Sequence, residues 1–339
     1  MEYTYAMAIS RVGNLALIAL AIGALVPCLR AESIDAIYSF GDSLSDVGND
    51  FTLSGGLLPG APYVNGQFSN GPVWVQDLAT AFGLGTLTPS LQGGTDYAYG
   101  GAETGTTPVH AGNATDLTGS TGQIAQFQAA HSTADPNALY TVWIGSNDLM
   151  DILAGAPPSQ YAADIAAAVA NVDAAISALA ADGAKDFLLV TVPDLGKTPA
   201  AIADGPAAVA GASELSALFN SALVSSVDQI AALDSLDLST LNTYSLLDQI
   251  VASPSSYGFT NVTTPCLTGA VDYSGGTVCA PTLAGQNQYL FWDSIHPTAA
   301  GHAIVADAAL AVLTPEPANV SVFVVGLLSV AVVCRRRRA

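Results

Sequence analysis

Four short segments carry residue types that could act together on a carbonyl. Phe40-Gly41-Asp42-Ser43-Leu44 offers a hydroxyl behind an apolar run. Tyr97-Ala98-Tyr99-Gly100-Gly101-Ala102 offers backbone N–H groups on a glycine pair, where a ligand can approach closely. Trp143-Ile144-Gly145-Ser146-Asn147-Asp148 offers a side-chain amide, and Asp293-Ser294-Ile295-His296-Pro297 a base with a carboxylate three residues before it. A serine hydroxyl is a poor nucleophile without an adjacent base. Asp293 and His296 fit on one turn, so the carboxylate can fix the imidazole tautomer while the other ring nitrogen faces Ser43. The N–H groups of Ser43 and Gly101 and the Asn147 amide would then surround a developing oxyanion.

Each segment also has a plainer reading. Asp42 or Ser43 can cap a helix, Asn147 can satisfy its own turn, and Gly100-Gly101 can be a turn only. The histidines weigh against those readings. There are four, His110, His131, His296 and His302, and only His296 has a carboxylate at this spacing with a proline behind it. His110 and His131 read as surface residues. His302 reads as a packing or capping residue on the last helix.

Strand-like and helix-like stretches alternate along the chain, which argues for a parallel sheet covered on both faces. Strands are expected at 34–40, 139–144, 187–192 and 242–247. Helices are expected at 72–82, 159–181, 206–230 and 298–312, with Pro72 and Pro206 in first turns and Asp182-Gly183 as a stop. Residues 83–122 form a Gly/Thr-rich stretch with little periodicity, a length that often carries function. Every chemical segment falls after a strand or before a helix, where ligands bind in open parallel sheets. Leu57, Leu58, Tyr63, Tyr97 and Tyr99 are candidates either for an acyl-lining surface or for core.

The two ends read as targeting segments. Arg11 precedes an apolar run at 15–27, the length of a signal-peptide core, with cleavage near Ala31. Pro315-Glu316-Pro317 precedes an apolar stretch at 320–333, then Cys334 and Arg335-Arg336-Arg337-Arg338, which should stay cytoplasmic. The remaining body, 32–313, suits one domain. Its only cationic side chains are Lys185 and Lys197. Of 28 acids only Glu2 and Glu316 lie outside it, so 26 acids against two lysines leave a net charge of −24. Such a surface repels nucleic acid and anionic lipid headgroups. The body holds two cysteines, Cys266 and Cys279, and in an exported protein this pair is expected to form a disulfide. No cluster of metal ligands stands beside them.

These motifs resemble the SGNH/GDSL hydrolase family. Ser43, Gly101, Asn147 and His296 match the four residues that name it, and Asp293 matches its triad acid. Gly41–Asn49, Phe68–Trp74 and Tyr289–Asp293 are similar to its flanking blocks. In one departure, the second block opens with Asp96 where the family usually has Asn, which leaves Gly100 and Gly101 both open as the oxyanion donor. The resemblance implies a flavodoxin-like three-layer α/β/α sandwich and two-step acyl transfer on esters, with no metal or organic cofactor. Hydrolase and acyltransferase both fit it, and a non-catalytic polysaccharide-binding matrix protein is the competing class. The C-terminal pattern resembles the PEP-CTERM sorting tag of Gram-negative bacteria. That implies signal peptidase and an exosortase as processing partners, and release to a polysaccharide-rich exterior.

Overall fold

The computed structural model describes residues 34–106 and 118–314. The expected leader, the C-terminal tag, His110, Cys28 and Cys334 lie outside them. Four parallel strands form the central sheet in the order β1 (Ile37–Gly41), β2 (Leu139–Trp143), β3 (Asp186–Val190), β4 (Asp237–Leu241). Beyond β1, residues 95–99 run parallel to it: Ser39 N–H donates to the Thr95 carbonyl (3.0 Å) and Tyr97 N–H to the Ser39 carbonyl (2.7 Å). With this extra edge counted, the order is the flavodoxin-like doubly wound one, and its reversal point lies between β1 and β2.

Strand residues alternate faces with a period of two. Phe40, Tyr140, Val142, Phe187 and Leu189 pack on one side against α3 (Ser120–Ala130), α5 (Tyr161–Asp182) and α7 (Pro206–Asp234). Ile37, Leu139, Trp143, Leu188 and Val190 pack on the other against α2 (Trp74–Ala81) and α10 (Ala299–Leu313). The inner strands β2 and β3, buried on both faces, are mainly apolar, whereas the outer strand β4 (Asp-Leu-Ser-Thr-Leu) is more polar and less buried. The result is a three-layer α/β/α sandwich.

Local chemistry sets most boundaries. α5 buries Ile165, Val169, Val172, Ile176 and Leu179 at helical spacing and stops where Gly183 turns left-handed (φ 118°). α7 begins at Pro206, whose missing N–H costs nothing in a first turn. The Thr298 hydroxyl caps α10 by accepting from Gly301 N–H. The short helices α1 (Asn49–Leu53), α4 (Ser146–Gly155), α6 (Pro199–Asp204) and α9 (Leu283–Gln286) join these elements.

Residues 242–247 depart from expectation. They are not a strand: β4 ends at Leu241, and α8 (Thr243–Ala252) begins after Asn242, whose side chain accepts from Ser245 N–H at 2.9 Å. That cap terminates the strand, and Leu247 and Ile250 then bury a helical stripe. The described parts of the Gly/Thr-rich stretch, 83–106 and 118–122, hold more regular structure than its composition suggests. They contain a 3₁₀ turn at Ser90–Gln92, the edge segment 95–99 and the start of α3.

Candidate active site

The turn at Asp293–His296 is built by the aspartate itself. Asp293 Oδ1 accepts from Ile295 N–H (2.9 Å) and His296 N–H (2.8 Å), a side-chain-closed turn that holds both side chains on the same side. Asp293 Oδ2 lies 2.7 Å from His296 Nδ1, and His296 Nε2 lies 2.8 Å from Ser43 Oγ. A hydroxyl and an imidazole 253 residues apart in sequence thus meet. All three side chains are buried, with Ser43 8 % exposed. Burial raises the Asp293 carboxyl, but the His296 charge and the hydrogen bonds outweigh it and hold it below its ordinary value. It therefore stays ionised and can stabilise an imidazolium.

Ser43 follows β1 at the reversal point of the sheet. The end of that strand is held by a residue that sequence reasoning did not single out. Gln123, fully buried on α3, accepts from Gly41 N–H (2.9 Å) and donates back to the Gly41 carbonyl (2.7 Å). Asp42, beside Ser43, closes its own turn by accepting from Leu44 N–H at 2.9 Å. Burial raises its carboxyl to about 7, while the Leu44 amide and the His296 charge restrain the rise.

Asn147 stands at the start of α4, after β2. Gly145 makes the corner with φ 120°, and a Cβ there would lie 2.6 Å from the Phe219 ring. Asn147 Nδ2 donates to the Ala102 carbonyl (2.8 Å), and Asp148 accepts from the Thr104 N–H and hydroxyl. The first turn of α4 thereby grips the loop that carries the glycine pair. Gly100 N–H donates to Asp46 Oδ2 (3.2 Å) and is occupied. Gly101 follows in the left-handed region (φ 71°), and its N–H has no hydrogen-bond partner among the described residues. The same is true of Ser43 N–H. These two amides remain as donors.

Asp96, the departure from the usual block, lies under this loop, fully buried. It accepts from Val47 N–H (3.0 Å) and Asn49 Nδ2 (3.3 Å). Burial raises its carboxyl to about 8, against the hydrogen bonds that lower it. Asp46 beside it is driven well above the ordinary range by burial and by the charges of Asp50 and Asp96.

The remaining histidines sit apart from Ser43. His131 is half-buried rather than on the surface, with Nε2 3.1 Å from the Tyr97 hydroxyl. His302 packs fully buried on α10, and burial first, then the His296 charge, lowers it to about 3. Cys266 and Cys279 are joined in a disulfide that closes the two-stranded hairpin β5 (Leu267–Thr268) and β6 (Thr277–Val278). Among the described residues no group of three His, Cys, Asp or Glu could hold a metal ion.

Ser43, Asn147 and His296 open onto a cleft of about 760 Å³ that extends to solvent. Trp143, Met150, Leu246, Leu247, Ile250 and Phe291 give it mainly apolar walls. Leu57, Leu58, Tyr63, Tyr97 and Tyr99 do not line it. Tyr97 stacks on Phe40 in the core, Tyr99 is buried, and Leu57 is 70 % exposed. Tyr63 instead donates its hydroxyl to Asp293 Oδ2 at 2.7 Å.

Residues 37–309 match the family model described as GDSL-like Lipase/Acylhydrolase. The chain belongs to this family. A GDSL esterase/lipase of Arabidopsis thaliana is 28 % identical, with 82 % of this chain and 87 % of that protein covered. The thermolabile hemolysin of Vibrio parahaemolyticus is also 28 % identical; 83 % of this chain is covered, and the match spans 64 % of the hemolysin. The phosphatidylcholine-sterol acyltransferase of Aeromonas hydrophila is 26 % identical over 80 % of this chain and 88 % of that protein.

Proposed function

We propose that this GDSL-family chain hydrolyses carboxylic esters through an acyl-enzyme on Ser43. The observation that carries this reading is the buried line Ser43 Oγ–His296 Nε2 (2.8 Å) and His296 Nδ1–Asp293 Oδ2 (2.7 Å) at the mouth of an apolar cleft. His296 takes the Ser43 proton as Oγ attacks the ester carbonyl, and Asp293 stabilises the resulting imidazolium. Ser43 N–H, Gly101 N–H and the Asn147 amide donate to the oxyanion. His296 then protonates the leaving alcohol, and water, activated by the same imidazole, releases the acid and regenerates Ser43. No step calls on a metal or organic cofactor.

The cleft supports an ester with an apolar part, acyl or alkyl, in preference to an acetyl group on a hydrated sugar, because apolar walls reward each methylene that leaves water. An alcohol entering in place of water would make the same site an acyltransferase. The scarcity of polar groups in the cleft and the name of the Aeromonas relative both favour testing that outcome with an added alcohol acceptor.

Ser43→Ala should abolish turnover of short-chain p-nitrophenyl esters while leaving the unfolding temperature within a few degrees of the parent. Full activity in that variant would sink the hydrolase reading.

We further propose export from a Gram-negative cell, with residues 1–31 as signal peptide, 32–313 as the enzyme and 314–339 as a PEP-CTERM tag cut by an exosortase. Arg11 with its apolar run, Pro315-Glu316-Pro317 and the terminal arginines support this, as does a disulfide, which persists in oxidising compartments. Intact-mass analysis of protein recovered outside an exosortase-bearing host should find both ends trimmed. An untrimmed chain in the cytoplasm would contradict it.

A further inference from the structure

Asp293 has four acceptor positions, and all four are filled. Two backbone N–H groups of its own turn occupy Oδ1, and His296 Nδ1 and the Tyr63 hydroxyl share Oδ2, each at 2.7 Å. Tyr63 comes from a loop 230 residues away in sequence. Its ring is wedged edge-on among Phe68, Tyr273 and Trp292, with centroids 6.1–6.5 Å away, so the phenol is not free to turn to solvent. Burial and the Asp293 charge push the phenol well above its ordinary value, so across the physiological range it can only donate.

Resting on the reading of Asp293 and His296 given above, we propose that Tyr63 is a positioning residue of the Ser43–His296–Asp293 line, whose hydrogen bond sets how strongly Asp293 holds the imidazolium. The hydrogen bond draws negative charge from the oxygen that faces His296. Without it, that oxygen keeps more charge, binds the Nδ1 proton more strongly, and makes His296 a stronger base. A more basic imidazole is protonated, and so unable to take the Ser43 proton, over more of the acid range. The lost contact also leaves a buried oxygen short of a donor and the carboxylate freer to rotate.

The other ionisable groups facing His296 are Tyr273 on the disulfide-closed hairpin (ring centroids 5.8 Å apart), Asp42 after β1 and His302 on α10. Tyr63→Phe leaves all of them in place, and the Phe ring keeps the aromatic packing.

The test is a titration of His296 by ¹⁵N NMR, run beside the pH dependence of kcat/KM. The NMR arm needs no turnover. If no ester is ever hydrolysed, the hydrolase reading fails while this inference is still decided. In Tyr63→Phe the His296 midpoint and the acid limb of kcat/KM should both rise by roughly 0.5 to 1 in pH, and kcat/KM should fall roughly tenfold. A fluorinated tyrosine at position 63, with a more acidic phenol and a stronger hydrogen bond, should move both midpoints down. Activity or unfolding temperature lost with neither midpoint moving, in both variants, would show that Tyr63 only packs, and would overturn the proposal.

Discussion

Two regions of this protein bury carboxylates, and they treat them in opposite ways. At the Asp293–His296 turn the acid receives four hydrogen bonds, one of them from the His296 ring, and interaction with His296 and those bonds hold it below its ordinary value. At the corner after β1, Asp42, Asp46 and Asp96 are equally buried, burial outweighs their hydrogen bonds and, for Asp42, the more distant His296 charge, and all three are raised, Asp42 to about 7 and Asp96 to about 8. Burial alone drives a carboxyl toward its neutral form; only a partner charge with well-placed donors reverses that. The first region is arranged to hold a charge that chemistry can use. The second favours the neutral acid and, through the hydrogen bonds of Asp46 and Asp96, shapes the backbone beneath Gly100 and Gly101.

The largest effect should follow from removing charge in the first region. Asp293→Asn keeps the shape of the turn but removes the anion, and kcat/KM should fall roughly ten-thousand-fold, by analogy with the measured effect in a serine protease. A fall of less than tenfold would mean that the two regions are not different in kind. Asn147→Ala removes the amide proposed as an oxyanion donor and releases the Ala102 carbonyl; kcat should fall roughly 100- to 1,000-fold with a smaller change in KM. Equal loss in both constants would point to a binding role instead.

Replacing both Cys266 and Cys279 by Ser sharpens the contrast from another side. The hairpin they close carries Tyr273 against His296 and Tyr63. Stability should drop by about 2–4 kcal/mol in denaturant unfolding, the usual scale for a native disulfide. Activity at low temperature should fall only a few-fold, because Asp293 is held by its own turn.

The smallest effect belongs to the second region. Asp42 and Asp96 have folded-state values raised above those of the unfolded chain, so the stability they contribute is fully present below about pH 4 and is lost as pH rises toward 7 and 8. Unfolding temperature should therefore decline between about pH 4 and pH 8. Asp96→Asn, which cannot ionise, should flatten part of that decline, by roughly 2–4 °C for each kcal/mol recovered. An unchanged pH slope would show that Asp96 is already ionised in the folded protein.

The contrast between the regions was only half legible in the sequence. Asp293 and His296 are neighbours on one turn, so their spacing alone brought them together. Ser43, Asn147 and the glycine pair were readable because each follows a strand-like run or precedes a helix. Tyr63 and Gln123 could not be found that way, since their partners lie 230 and 82 residues away and neither carries a periodic signal. Residues 95–99 read as loop because Asp96 and the flanking pairs Gly93-Gly94 and Gly100-Gly101 mask an edge alignment fixed only by β1. Residues 242–247 read as a strand because a short run with Thr, Tyr and Leu suits either element; the Asn242 cap decides it. The cleft is hidden with it, since three of its walls, Leu246, Leu247 and Ile250, sit on the helix that forms there.

The most direct test of the central claim is the site of covalent capture. Protein treated with a fluorophosphonate and mapped by peptide mass spectrometry should carry one adduct, on Ser43, and His296→Ala should carry almost none. Labelling of a different serine, or equal labelling of Ser43 without the imidazole, would contradict the account.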